Sequence, residues 1–331
     1  MTAIRPGEEE RKRIEEKAAR LLIEFDHNPS PVERAAIYRW IEERDEHAVA
    51  FAKAQAAWRS CERLKALNPD ADEEEQFAGS PVEKMAPASS SRRKLLAGLA
   101  AAASIAAFVP LLKTLPGGWQ EYETKIGERR SVRLADGSMV HLNTATRLAV
   151  KLDADRRNIR LYGGEASFDV AHDKSRPFEV EANGSIIRAV GTSFNVRLNE
   201  MLVDLTVTEG IVAIRQPGRI AERLEAGRSA LIHPDTMAIK PLNEVEMSQR
   251  TAWHQDMIEL NGDSVEQAVA EFNRYLETPI IVGDAHVGSM HIGGRFNTHD
   301  ADRFLVALEH SLPIRVIKSA DGSVVLVHSS E

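Results

Sequence analysis

The sequence of 331 residues holds a single cysteine, Cys61. One thiol cannot close an intramolecular disulfide or build a cysteine metal cluster, so core packing alone must hold whatever folds here. An excess of positive charge is also missing: 42 lysines and arginines face 50 aspartates and glutamates, for a net charge of -8 and a pI near 5.8. That balance leaves no basic footprint for direct contact with nucleic acid. The chain lacks a P-loop, a dinucleotide fingerprint, a nucleophile elbow and a His-Glu-x-x-His helix, so the usual enzyme signatures are absent. No cofactor is expected. His286, His291 and His299 could gather around a metal, but their spacing fits no regular ligand motif and solvated loop histidines are the plainer reading.

What is present is a divided chain, longer than the roughly 100 to 200 residues of one domain. Residues 95–112, LLAGLAAAASIAAFVPLL, run about 18 residues without a charge, at the lower edge of what spans a bilayer as a helix. Arg92, Arg93 and Lys94 abut one side, whereas Lys113 and then GGWQEYE follow on the other. Positive charge stays inside, which places the N-terminus in the cytoplasm and the C-terminal part outside. The expectation is one transmembrane helix in a bacterial inner membrane, N-terminus cytoplasmic and C-terminus periplasmic. SRRKLL, at residues 91–96, also looks like a twin-arginine export signal, with the same orientation.

Three helical stretches precede that run. Over residues 8–26, Ile14, Ala18, Leu21, Leu22 and Phe25 form one apolar stripe. The second stretch opens on the capping box Ser30-Pro31-Val32-Glu33 and carries Val32, Ala36, Ile37 and Trp40. Asp45 can cap a third, with Ala48, Phe51, Ala52, Gln55 and Trp58 near one face. A bundle over residues 1–67 has little core and gains from a partner. Trp40 and Trp58 either fill that core or anchor the partner. Residues 68–94, acidic and then rich in Pro, Ala and Ser, read as a flexible tether.

Beyond Tyr122 short alternating strands are punctuated by Asp136-Gly137, Gly163-Gly164, Asn183-Gly184 and Glu209-Gly210. The pattern predicts an all-β unit over residues 123–241, built as stacked hairpins or a short β-solenoid. Residues 253–328 read as helix, strand, strand, helix, strand, strand, a compact α+β module that could offer a sheet edge to a partner strand. Within AVGTSFNV the hydroxyl of Thr192 could attack the carbonyl of Gly191 in an acyl shift that ends in chain cleavage. A glycine in a bend between two strands is the alternative.

These segments together resemble the FecR family of transmembrane anti-sigma factors, regulators of iron uptake. EFDHNPSPVERAAIYRWIEERDEHAVAFAKAQAAW, with Trp40, His47, Phe51 and Trp58, is similar to the family's N-terminal domain. LADGSMVHLNTATRL, GGEASFDVAHDKSRPFEV, AVGTSFNVR and VTEGIVAI carry the likeness in the β part. AEFNRYLETPIIV, IGGRF and FLVALEHSLPIRV resemble a secretin and TonB N-terminus-like module. The resemblance implies that residues 1–67 sequester an extracytoplasmic-function sigma factor, with Trp40, Phe51 and Trp58 as candidate contacts. It implies that the β-rich part meets the signalling domain of an outer-membrane TonB-dependent receptor carrying a ferric siderophore. Some members cleave themselves at a Gly-Thr bond, which Gly191-Thr192 matches, and an intramembrane protease then follows. A membrane-anchored envelope scaffold, a periplasmic glycan-binding protein and an anchored hydrolase are the other readings.

Overall fold

The computed structural model describes residues 6–67, 114–115, 118–319 and 322–329. Three helices come first: α1 Pro6–Asp26, α2 Pro31–Glu43 and α3 Asp45–Leu67. The capping box fixes the start of α2, with the Ser30 amide donating to Glu33 Oε2 at 2.8 Å and the Glu33 amide to Ser30 Oγ at 3.4 Å. Two amides that a helix start otherwise leaves unbonded are thereby satisfied. Ala18, Leu22, Ile37, Trp40, Ala50 and Phe51 bury together, and Phe25 meets Phe51 edge-on with 6.2 Å between ring centroids. Another face of α3, through Ala48, Val49 and Ala52, packs on Ile317, Val325 and Val327.

Fourteen strands then form one sheet. They are β1 Thr114–Leu115, β2 Trp119–Glu123, β3 Arg130–Arg133, β4 Met139–Leu142, β5 Arg147–Leu152, β6 Arg157–Asp169 and β7 Phe178–Ala182. After these come β8 Ser185–Ala189, β9 Ser193–Asn199, β10 Leu202–Glu209, β11 Ile211–Arg215, β12 Glu222–Glu225, β13 Arg228–Ile232 and β14 Met237–Pro241. The main path runs β12-β11-β8-β7-β6-β9-β10-β13-β14. The long strand β6 organises it. Its first half pairs with β5 and, in parallel, with β7, while its second half pairs with β4 and β9.

The change of partners falls at Gly164, where φ is +83° and a Cβ would lie 2.5 Å from the Cα of Thr146. Only glycine accepts both that dihedral and that approach, so the strand can bend there and the sheet curls. Period-2 alternation then points one set of side chains inward: Phe178, Val180 and Ala182 on β7, and Ser185, Ile187 and Ala189 on β8. Phe168, Phe178, Phe194, Leu205 and Ile214 are fully buried in that core, with Phe168 stacked on Phe194 at 5.1 Å.

Helix α4, Glu244–Thr251, and a 3-10 turn, Ala252–Gln255, lead into the last module. It comprises β15 Met257–Ser264, α5 Val265–Asn273, β16 Ile280–Val282, α6 Ala285–Ser289, β17 His291–Asn297, α7 Ala301–Ser311, β18 Ile314–Lys318 and β19 Val324–His328. β15 pairs antiparallel with β17, and β19 lies between β16 and β18. The rings of Phe272 and Phe304, 4.1 Å apart, stack between α5 and α7 in a separate core.

Two expectations about the fold are corrected. No helix among the described residues is long and apolar enough to cross a membrane. The run at 95–112, with its charged flank Arg92, Arg93 and Lys94, lies outside the described residues, as does the tether from residue 68 to 94. The single transmembrane helix is therefore withdrawn from the fold. That run is marginal in length, and seven of its 18 residues are alanine, which adds little to insertion. Nor is the β unit a solenoid or a stack of hairpins: it is one curled sheet in which β6 touches four other strands and β8 pairs with β11. The turns punctuate strands as read, but turn spacing carries no information about which distant strands pair.

Candidate functional site

The three aromatic candidates of the helical part separate by exposure. Trp40 is 8 % exposed and Phe51 5 %, whereas Trp58 is 37 % exposed. The Trp40 ring stacks on His47 at 4.3 Å, and His47 Nδ1 lies 2.9 Å from the Trp40 carbonyl oxygen. Lys17 also lies over the Trp40 ring, its Nζ 5.1 Å from the centroid. Trp40 and Phe51 thus hold the helices together, whereas Trp58 lies nearer the surface. Val32 and Tyr38 on α2 and Ile23 on α1 are exposed too. The sequence reading placed Val32 in the apolar stripe and passed over Tyr38. Surface apolar side chains of this size on a small bundle are the usual raw material of an interface.

The Gly191-Thr192 bond lies in the link between β8 and β9. Gly191 has φ +110°, and a Cβ there would fall 2.4 Å from His172 Nδ1. On Gly210, the next close glycine, a Cβ would meet Thr192 Cγ2 at 2.8 Å and the Gly191 oxygen at 3.3 Å. Thr192 is 6 % exposed, and its Oγ1 makes no hydrogen bond among the described residues. Its carbonyl accepts from the Val170 amide at 3.0 Å. Directly across, β10 bulges between Val207 and Glu209, and Thr208 Oγ1 donates to the Ser193 carbonyl at 2.9 Å. Bulges of this kind re-aim side chains and recur beside functional sites.

The loop that carries His172 is clamped from beneath by Arg157, which is fully buried. Its guanidinium donates to Asp136 Oδ2 at 2.9 Å, to the Ala171 carbonyl at 2.8 Å and to the Arg176 carbonyl at 2.8 Å. Burial alone pushes the Asp136 carboxyl up, but hydrogen bonds from Ser138 and Arg157 more than offset it and hold the group below its ordinary value. Asp173, in the same loop, sits well below the carboxylate range because Ser175 and Arg176 donate to it. The sequence reading missed Arg157, although it stands in phase with Ile159 and Leu161 on β6 and so had to point inward.

A second charged cluster joins the sheet to the last module. Glu165, 4 % exposed, accepts from Asn143 Nδ2 and Asn195 Nδ2, each at 2.8 Å, and pairs with Arg274. Arg197 pairs with Glu271 at 2.9 Å, and Thr144 Oγ1 donates to the Arg274 carbonyl at 2.9 Å. Burial would raise the Glu165 carboxyl, yet the charges of Arg274 and Arg197 carry it below the ordinary value. Burial likewise lowers Arg274, and Glu165 and Glu271 raise it further than that. Tyr275, whose hydroxyl lies 3.0 Å from Asn143 Nδ2, is pushed up to about 12 by burial. Nothing in the sequence spacing announced this cluster, since Glu165 and Arg274 are distant in the chain.

His286, His291 and His299 do not converge, and among the described residues no group of His, Cys, Asp and Glu could hold a metal ion. His286 lies instead beside His328, with 5.2 Å between ring centroids, and His299 beside Asp256 at 3.6 Å.

Residues 120–213, which contain β6, His172 and the Gly191-Thr192 link, match the family model described as FecR protein. No curated protein matches the chain. Two crystal structures of a protein described as an anti-sigma factor from Parabacteroides distasonis ATCC 8503, at 2.50 Å and 1.65 Å, are similar to it at 26% identity and a TM-score of 0.54. The likeness covers 64% and 63% of this chain and 100% and 99% of theirs. The family match covers residues 120–213, a stretch of the curled sheet, and the likeness to these structures extends the shared fold over 64% of the chain.

Proposed function

We propose that this chain is an anti-sigma factor, a regulator in which the helical part binds an extracytoplasmic-function sigma factor and the β-rich part receives the signal that ends the binding. The observation that carries the reading is the FecR domain, joined in one chain to a small helical bundle with exposed Trp58, Tyr38 and Val32. Holding a sigma factor away from RNA polymerase asks for nanomolar affinity, about 12 kcal/mol, over an interface near 1,600 Å². A bundle this small must give most of one surface to it.

On the input side the partner is the signalling domain of a TonB-dependent receptor bound to a ferric siderophore. The two-stranded β15–β17 sheet of the last module, with edges that a further strand could extend, supports that assignment. Cleavage at Gly191-Thr192, followed by further proteolysis, is the step that frees the helical part. The buried, unbonded Thr192 hydroxyl and the φ of Gly191 support this step.

A transcriptional reporter for an extracytoplasmic-function sigma factor that binds residues 1–67 tests the reading. Expressing the whole chain silences the reporter. Deleting residues 1–67 restores it, and a reporter indifferent to both would end the proposal.

A further inference from the structure

A threonine hydroxyl is a poor nucleophile until a base takes its proton, so cleavage at Gly191-Thr192 asks which group does so. Buried hydroxyls are ordinarily committed to a hydrogen bond, whereas Thr192 Oγ1 has none among the described residues. No described side chain, His172 included, bonds it in the resting chain, so a base must swing onto it for cleavage to begin. The side chain pressed on the same peptide is His172, whose Nδ1 would lie 2.4 Å, and whose Cβ and Cγ 3.1 Å, from a Cβ at Gly191. Gly210 also crowds this peptide, against the Thr192 methyl and the Gly191 oxygen. Imidazole is the side chain best matched to accepting and returning a proton near neutral pH. His172 is exposed, so it can exchange protons with water, while Arg157 holds its loop in place through the carbonyls of Ala171 and Arg176.

We infer that His172 is the general base and acid for self-cleavage between Gly191 and Thr192; the inference rests on the cleavage step proposed above. His172 takes the proton of Thr192 Oγ1 as that oxygen attacks the Gly191 carbonyl carbon, closing a five-membered ring. The ring opens by breaking the bond from the Gly191 carbon to the Thr192 nitrogen, and His172 returns the proton to that nitrogen. The product is an ester of Gly191 on Thr192 Oγ1 beside a free amine. Water then hydrolyses the ester, leaving a Gly191 carboxylate and the original Thr192 hydroxyl, so the sum is hydrolysis of one peptide bond. The same contact explains why residue 191 is glycine: any Cβ there would displace the imidazole.

The purified full-length chain is incubated at neutral pH and followed by intact mass. Wild type yields two fragments that meet at Gly191-Thr192, and hydroxylamine, which attacks esters, converts the Gly191 end to a hydroxamate. Thr192→Ala yields neither. His172→Ala and His172→Gln slow both products about 100-fold, in the range for loss of a general base, and added imidazole restores part of the rate to His172→Ala. A structural role for His172 would not respond to imidazole. If Thr192→Ala is inert while both His172 variants cleave at the wild-type rate, the inference falls and the cleavage reading stands. If wild type gives neither fragments nor hydroxamate, both fall.

Discussion

The curled sheet and the helical part bury their large side chains to different degrees. In the sheet Phe168, Phe178, Phe194, Leu148 and Ile187 are wholly enclosed, and even a guanidinium, that of Arg157, finds all its partners inside. In the helices the largest buried groups, Trp40 and Phe51, keep some contact with solvent, and Val32, Tyr38 and Trp58 lie outside. A unit that encloses its large apolar side chains and pairs its buried charges is a frame. One that leaves aromatic surface uncovered is completed by something else. The contrast supports the proposed division of labour, with the curled sheet as the frame and the helices as the binding surface.

The comparison can be broken at Arg157, where the largest effect is expected. Arg157→Ala leaves the Asp136 carboxylate, only 1 % exposed, without its charge partner. The cost is about 4 kcal/mol, the usual range for stripping one member of a buried pair. Denaturant unfolding monitored on the β signal should show it as a large drop in midpoint.

Next comes Glu165→Gln, which leaves Arg274 buried with Glu271 as its remaining charge partner. A loss of about 2 to 3 kcal/mol at neutral pH is expected. The Glu165 carboxyl is depressed in the folded chain, so its contribution is fully present above the unfolded value of about 4.3 and is lost as pH falls through the folded value. Wild type and Glu165→Gln should therefore differ most near pH 7 and converge in acid. A gap that widens in acid would contradict the assignment.

The smallest effect sharpens the other side of the comparison. Ser30→Ala removes one half of the α2 capping box and should cost the helical part about 1 kcal/mol, read as a lower helical melting midpoint.

Much of the local structure was legible in the sequence because its causes are local. The Ser30 box, the helical stripe through Ala18 and Leu22, and the alternation on β7 are all written within a few residues. The path of the sheet was not, since the partners of β6 are chosen by long-range packing around the bend at Gly164. Residues 191 and 192 were singled out by type alone; what surrounds them was invisible, because His172 and Gly210 reach the bond from other strands and loops. The same holds for Glu165 with Arg274. Aromatic identity marked Trp40, Phe51 and Trp58 equally, and only burial divides two core residues from one surface residue.

The division between frame and binding surface is tested most directly by calorimetric titration of the sigma factor into the whole chain, its Trp58→Ala variant and its Ser30→Ala variant. The account predicts nanomolar binding for wild type, a loss of at least about 30-fold for Trp58→Ala, equivalent to about 2 kcal/mol at an interface anchor, and near-wild-type binding for Ser30→Ala. Equal affinity for wild type and Trp58→Ala would contradict it.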